Sequence, residues 1–217
     1  MKAIALDLQP GGATARIGPN AIIRLREALV SSVGPERARA IFEQAGQSRH
    51  LAQPPEHMVA EADVTRLYTS LPAQLGPRLA AEVSGQAGWL TGDYLLANRI
   101  PWPVQALLRL LPAPLAARVL VAAIRQHAWT FVGSGRFDVR PVAKEAGIAQ
   151  DGRRARLSLR VECCPICAGS RQAAPACSYY AASFEALFVA LVQRRARVRE
   201  VTCRALGAAA CTFEVSW

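Results

Sequence analysis

Six cysteines, Cys163, Cys164, Cys167, Cys177, Cys203 and Cys211, all stand after residue 162, and the first 162 residues hold none. Thiols gathered this way point to chemistry: a metal shell, a redox pair or a cross-link. Cys164-Pro-Ile-Cys167 is a compact CxxC with Cys163 as an extra thiol. Alone it is a moderate signal, open to three readings: a second metal half-site, a redox pair, or a turn packed near another site. Cys177, Cys203 and Cys211 are farther apart in sequence, so only the fold can bring them together.

The elements that must position them are legible. Residues 198–205 and 211–217 are rich in β-formers and flank Gly207, which predicts a hairpin. Centring the turn on Gly207 sets Cys203 opposite Cys211. Alternation then places Val201, Cys203 and Ala205 on one face with Cys211, Phe213 and Val215. Upstream, Tyr180, Phe184, Leu187, Phe188 and Leu191 follow the rhythm of a one-sided helix. Cys177 stands at the start of that helix, where the dipole favours a thiolate. Three thiolates thus converge, and Glu200 is a candidate fourth ligand. Three Cys and a carboxylate complete a closed tetrahedral zinc shell, structural in kind because it leaves no open position. In a regular strand Glu200 and Cys203 face opposite sides, so the set requires a bulge or strand end near residues 201–202.

Cys177, Glu200-Val-Thr-Cys203 and Cys211-Thr-Phe-Glu together resemble the 4-vinyl reductase domain family. The resemblance implies a zinc held by Cys177, Glu200, Cys203 and Cys211. Ile17-Gly-Pro-Asn-Ala-Ile22, His127-Ala-Trp-Thr-Phe131 and Cys164-Pro-Ile-Cys167 resemble its bacteriochlorophyll 4-vinyl reductase branch. The resemblance spans roughly residues 16–217, implies a role in bacteriochlorophyll biosynthesis and implies a homodimer. It also implies reduction of the 8-vinyl group (4-vinyl in older numbering) of a divinyl chlorophyllide. The same cysteines admit a Cys203–Cys211 cross-strand disulfide instead. Residues 1–10 lack the apolar core of a secretory leader, so a cytoplasmic, reducing setting is expected, which disfavours that alternative.

The chain's 217 residues suit one domain with a proper core. The expected organisation is a mobile tail over 1–15 and a single ligand-binding domain over 16–217, with the cysteine-rich module at about 155–217. The net charge of +10 rests on 24 arginines against two lysines. These are scattered, with one dense patch at 152–160, and no recognition helix or aromatic-basic motif accompanies them. Nucleic acid is therefore not the expected partner; anionic ligands, acidic proteins or anionic lipid headgroups are.

Residues 16–132 read as helices: 20–33 opened by Asn20 as cap, 36–45 after Pro35, 61–71, 78–99, then 107–111 and 115–124 broken by Pro112 and Pro114. Residues 104–124 are the most apolar stretch, interrupted by Arg109 and Arg118. They predict a buried helix pair or a peripheral contact with the photosynthetic membrane around 101–115, and no crossing. Gly85, Gly88 and Gly92 share one helix face, which predicts close helix packing or a flat ligand lying on it. Residues 136–142 and 155–161 read as antiparallel strands. The class is α+β: a helical N-terminal half packed on a small antiparallel sheet with a C-terminal helix and β-hairpin.

No dinucleotide fingerprint, P-loop or nucleophile elbow is present, and no nicotinamide or flavin site is evident for a reductase. His50 and His57 flank a loop and are expected to be solvated. His127 follows an apolar helix, with Arg125 before it and Trp129 and Phe131 after; it reads as a core histidine or as the axial ligand of a magnesium tetrapyrrole. In the second case Trp89, Trp129 and Phe131 would stack on the macrocycle and Arg125 would pair with its carboxylate. The expected function is to bind such an intermediate, of magnesium protoporphyrin or divinyl chlorophyllide type, and hand it to a pathway enzyme. Reduction of the vinyl group with an external electron donor is the alternative.

Overall fold

The computed structural model describes residues 15–142 and 154–217. The expected tail and most of the loop before the second long strand, with part of the arginine patch, lie outside these residues.

The helical half begins with α1 (Asn20–Val33), whose Ala21, Ile22, Leu25, Ala28 and Leu29 are buried at helical spacing. Asn20 is its first residue and makes no capping bond; Pro19 occupies the cap position. Gly34, at φ 82°, ends α1 by donating to the Val30 carbonyl, and Pro35 starts α2 (Pro35–Gln44). A short α3 (Arg49–Ala52) and a loop lead to α4 (Glu61–Leu75), which continues past Leu71 through Pro72. Val64, Leu67 and Leu71 are fully buried. Each such side chain contributes about 1.5–3 kcal/mol by leaving water. Between them the sequence hides a two-stranded ribbon, β1 (Arg16–Ile17) against β2 (Val59–Ala60), too short to carry a periodic signal.

His50 is buried, contrary to expectation. Its Nε2 lies 3.4 Å from the Asp63 carboxylate, which also meets Arg49, Arg66 at 2.5 Å and Gln47 at 3.3 Å. A carboxylate buried in α4 needs donors, and the loop histidine is drawn in as one. His57 is exposed, as expected.

Helix α5 (Pro77–Asn98) is the centre of the molecule, flanked by α1 and α4 and packed along α9 (Ser178–Leu191). Two of its glycines account for that approach. A Cβ on Gly88 would stand 2.3 Å from the Tyr179 carbonyl oxygen, and one on Gly92 would stand 2.4 Å from the Ala186 Cβ. Close helix packing is thus the role of both. Gly85 meets nothing within 4 Å and borders a surface cleft.

Pro101 and Pro112 stand at the starts of α6 (Trp102–Leu110) and α7 (Ala113–Gln126); α8 (Trp129–Val132) ends before Gly133. Four strands follow: β3 (Arg136–Pro141), β4 (Ala155–Glu162), β5 (Arg197–Thr202) and β6 (Ala210–Ser216). They form an antiparallel sheet in the order β3-β4-β6-β5. Leu159, Val161, Cys211, Phe213 and Val215 are fully buried on one face. Helix α9 covers it: Phe213 rings meet Tyr180 and Phe184, while Ser183 on the other side bonds the Gly88 carbonyl at 3.2 Å. The fold is α+β, a helical half joined to a small antiparallel sheet through α9.

Candidate metal centre

Four pieces of chain deliver the thiols. Strand β4 pairs Val161 with Cys211 on β6. The chain turns sharply at Cys163, a non-glycine residue at φ 48°, whose side chain is exposed. The turn exists because Gly135 lies beneath it; a Cβ there would stand 2.5 Å from the Glu162 carbonyl oxygen. A single 3-10 turn (Pro165–Cys167) follows, and Thr65 of α4 donates to the Pro165 carbonyl at 2.8 Å. Cys164 and Cys167 are thereby buried beside the end of the sheet. Cys177 is the cap residue of α9.

The hairpin supplies the rest. Glu200 pairs with Phe213 and Thr202 with Thr212, so the register slips between them and Val201 is the extra residue of a β-bulge. The bulge turns Glu200 and Cys203 to the same side, as the ligand set requires. It also corrects the regular alternation expected here, because Val201 is carried outward and is exposed. Cys203 lies just past β5, and the turn closes through Gly207 at φ 90°. Its sulfur is 4.0 Å from that of Cys211.

The result is one cluster with two overlapping quartets. Cys177, Glu200, Cys203 and Cys211 have ligand atoms within 4.8 Å of one another, and so do Cys164, Cys167, Cys177 and Cys211. Sulfur separations are 3.4 Å for Cys164–Cys177 and 3.5 Å for both Cys167–Cys211 and Cys177–Cys211. A disulfide bond is only ~2.05 Å long, and all six cysteines are free. Cys164 and Cys167 are therefore part of the main cluster and not a separate thiol site; Cys163 is outside it. Their CxxC spacing was the available signal, but nothing local says which cluster it joins.

The donor set suits a thiophilic divalent cation. Glu200 Oε2 accepts the Cys177 amide at 2.9 Å, while Oε1 is buried with no partner. Burial, and then the neighbouring Cys203 sulfur, push the Glu200 carboxyl up to about 8. A cation bound at Oε1 would reverse both effects. The Ala176 and Arg204 amides point at Cys203 and Cys211, each 3.4 Å from sulfur, as donors to thiolates. The buried cysteine cluster can hold a metal ion, and its donors are those of zinc.

The residues considered for a tetrapyrrole are divided among three places. Arg125, His127 and Trp129 are exposed together where α7 passes into α8. Phe131 packs edge-on against Phe137, Tyr180 and Phe184, and its carbonyl accepts the Tyr180 hydroxyl at 2.6 Å. Trp89 borders a cleft of about 340 Å³ on another side of α9, with Gly85, Ser178, Ala181, Arg199 and Glu200 in its lining. That cleft is at the small end of ligand pockets, roughly 300–1,000 Å³, and the other four residues do not line it.

The family model of the 4-vinyl reductase domain matches residues 157–216. Over 203 residues the chain is 42% identical to the bacteriochlorophyll synthase 23 kDa chain of Cereibacter sphaeroides, covering 92% of this chain and 90% of the relative. It is 35% identical over 198 residues to the protein of the same name in Rhodobacter capsulatus, covering 91% and 85%. Among solved structures, an H-NOX protein from S. oneidensis aligns over 92% of this chain and 95% of its own, at 11% identity and a TM-score of 0.49; that likeness carries no function.

Proposed function

We propose a carrier's role for this chain, which belongs to the family of the bacteriochlorophyll synthase 23 kDa chains. It acts in bacteriochlorophyll biosynthesis, where it binds a magnesium tetrapyrrole intermediate and delivers it to a pathway enzyme. The observation that carries the reading is an uncovered apolar surface on α6–α8. Trp102 is 73% exposed, Leu107 57%, Leu110 83% and Trp129 62%. Leu115 and Val119, four residues apart on α7, continue it. So much exposed apolar surface marks a place where something docks, and a flat, apolar macrocycle suits a surface better than the narrow cleft at Trp89.

His127 supports the magnesium form of the ligand. Its Nδ1 lies 2.9 Å from the Ala123 carbonyl oxygen, which can only accept. The proton is thus on Nδ1, and the exposed Nε2 keeps a lone pair for an axial bond. Arg125 would pair with a ring carboxylate and Trp129 would stack on the macrocycle. The metal centre takes no part in this chemistry. Its ion would be held among Cys177, Glu200, Cys203, Cys211 and the CxxC pair, pinning the start of α9, whose Tyr180 hydroxyl bonds the α8 carbonyl of Phe131. A dimer, the family's habit, would shield part of the apolar surface.

Titration of pure protein with magnesium protoporphyrin and its methyl ester, followed by absorbance and tryptophan quenching, tests the proposal. Saturable binding is expected, with no monovinyl product when divinyl chlorophyllide and nicotinamide cofactor or reduced ferredoxin are added. Turnover would make the protein the vinyl reductase, and failure to bind any pigment would end both readings.

A further inference from the structure

The two quartets have Cys177 and Cys211 in common and no other member. We infer that the cluster holds two divalent ions of the zinc class, bridged by the thiolates of Cys177 and Cys211. Cys164 and Cys167 complete one tetrahedron, and Glu200 and Cys203 complete the other. The inference rests on the reading of the cluster as a metal centre and extends it to a second ion.

Geometry comes first. In a tetrahedral zinc shell with Zn–S of ~2.3 Å, neighbouring sulfurs lie ~3.8 Å apart. The separations here are 3.4, 3.5, 3.5 and 4.0 Å, and they run without a break from Cys164 to Cys177, to Cys211, then to both Cys167 and Cys203. The two shared sulfurs are thus at the centre of the chain of contacts, where bridges belong. A thiolate keeps three lone pairs after its bond to Cβ, so it can bind two cations at once.

Satisfaction of the buried donors comes second. One ion in the all-cysteine quartet would leave Glu200 Oε1 buried and without a partner, as it is now. One ion in the mixed quartet would leave Cys164 and Cys167 fully enclosed with only sulfur neighbours. Two ions give every enclosed ligand a partner. Charge agrees: five thiolates and one carboxylate surround a single dication with four negative charges in excess, and two dications halve that excess. The Ala176 and Arg204 amides, both directed at sulfur, address the remainder.

Zinc content of reduced, chelator-treated and zinc-reloaded full-length protein tests the inference. About two equivalents are expected in the native sequence, falling to about one in Cys164→Ser/Cys167→Ser and to about one in Glu200→Gln/Cys203→Ser. Because a double variant can misfold, cobalt titration of the native protein gives an independent readout. The first equivalent should build a high-spin cobalt spectrum, and the second should diminish its magnetic resonance signal, as thiolate-bridged ions couple. Saturation at one equivalent, with a signal that only grows, overturns the bridged pair and leaves the single-ion centre intact. No metal at all overturns both, and iron with acid-labile sulfide overturns the assignment to zinc-class ions. Pigment binding is measured separately, so the carrier reading stands or falls on its own.

Discussion

Glu200 reaches from the bulged edge of the hairpin to the first turn of α9, where one carboxylate oxygen accepts the Cys177 amide at 2.9 Å and the other is buried and unpartnered. A residue that only capped the helix would leave its second oxygen to water. Glu200→Gln keeps an acceptor for the amide and removes the anionic ligand. It should weaken zinc at this position by at least about tenfold, read by competition with a chromophoric chelator, with the metal-free stability little changed. An unaltered competition curve would show that Glu200 is not a ligand.

Chelation itself should loosen the last third of the chain, because the thiolates tie the CxxC turn, the α9 start and the hairpin to one point. Hydrogen exchange is the suitable measurement. Protection should fall first at residues 163–180 and 200–212, while the amides of α1 and α4 hold. Uniform loss across the molecule would argue that the centre staples the whole fold.

Packing between α5 and α9 is set by two glycines with little tolerance. Gly88→Ala and Gly92→Ala should each destabilise by roughly 1–3 kcal/mol in urea titration through overpacking. Gly85→Ala, whose Cβ would meet open space, should instead gain up to about 1 kcal/mol from helix propensity. Equal effects at the three sites would mean that the close approach is unimportant.

Asp63 gives the protein an acid limb. Burial would raise its carboxyl, but the bonds and charges of Arg49, His50 and Arg66 hold it below 3.8. A depressed value stabilises the fold above the unfolded value, and the contribution disappears as pH falls through the folded one. Asp63→Asn should therefore cost stability at about pH 7 and much less near pH 2. A constant difference between the two pH values would remove the electrostatic account.

His127→Ala should weaken the magnesium pigment by about tenfold and the metal-free pigment far less, since only the former loses an axial bond. Fluorescence titration of both forms gives the ratio. Equal loss would make His127 a surface contact without coordination.

The apolar surface can be probed without disturbing the core. Leu107→Ser/Leu110→Ser should alter stability by about 0.5 kcal/mol or less, yet reduce pigment binding and flotation with anionic liposomes at low salt. Among the described residues no helix is long and apolar enough to cross a membrane, so any association is expected to be salt-sensitive and peripheral. Undiminished flotation would place the contact elsewhere.

Much of this protein is determined locally. Apolar spacing marks α1, α4 and α9 because a helix repeats every few residues, and prolines stand where α2, α5, α6 and α7 begin because they fit a first turn. Glycine and β-rich runs mark the hairpin. The bulge at Val201 was also implicit, since Glu200 and Cys203 can face one side only if the strand slips between them. Other features depend on contacts that no local pattern encodes. His50 lies in a loop and is buried because Asp63, 13 residues on, needs donors inside the fold. Phe131 and Trp129 are two residues apart, yet α9 draws one into an aromatic cluster and leaves the other in solvent. Cys164 and Cys167 join the distant Cys211 through the β4–β6 register that pairs Val161 with Cys211 and the turn that Gly135 permits at Cys163. Types and spacing of the cysteines announce a metal site; only the packing of sheet, turn and helix decides that its two halves share sulfur.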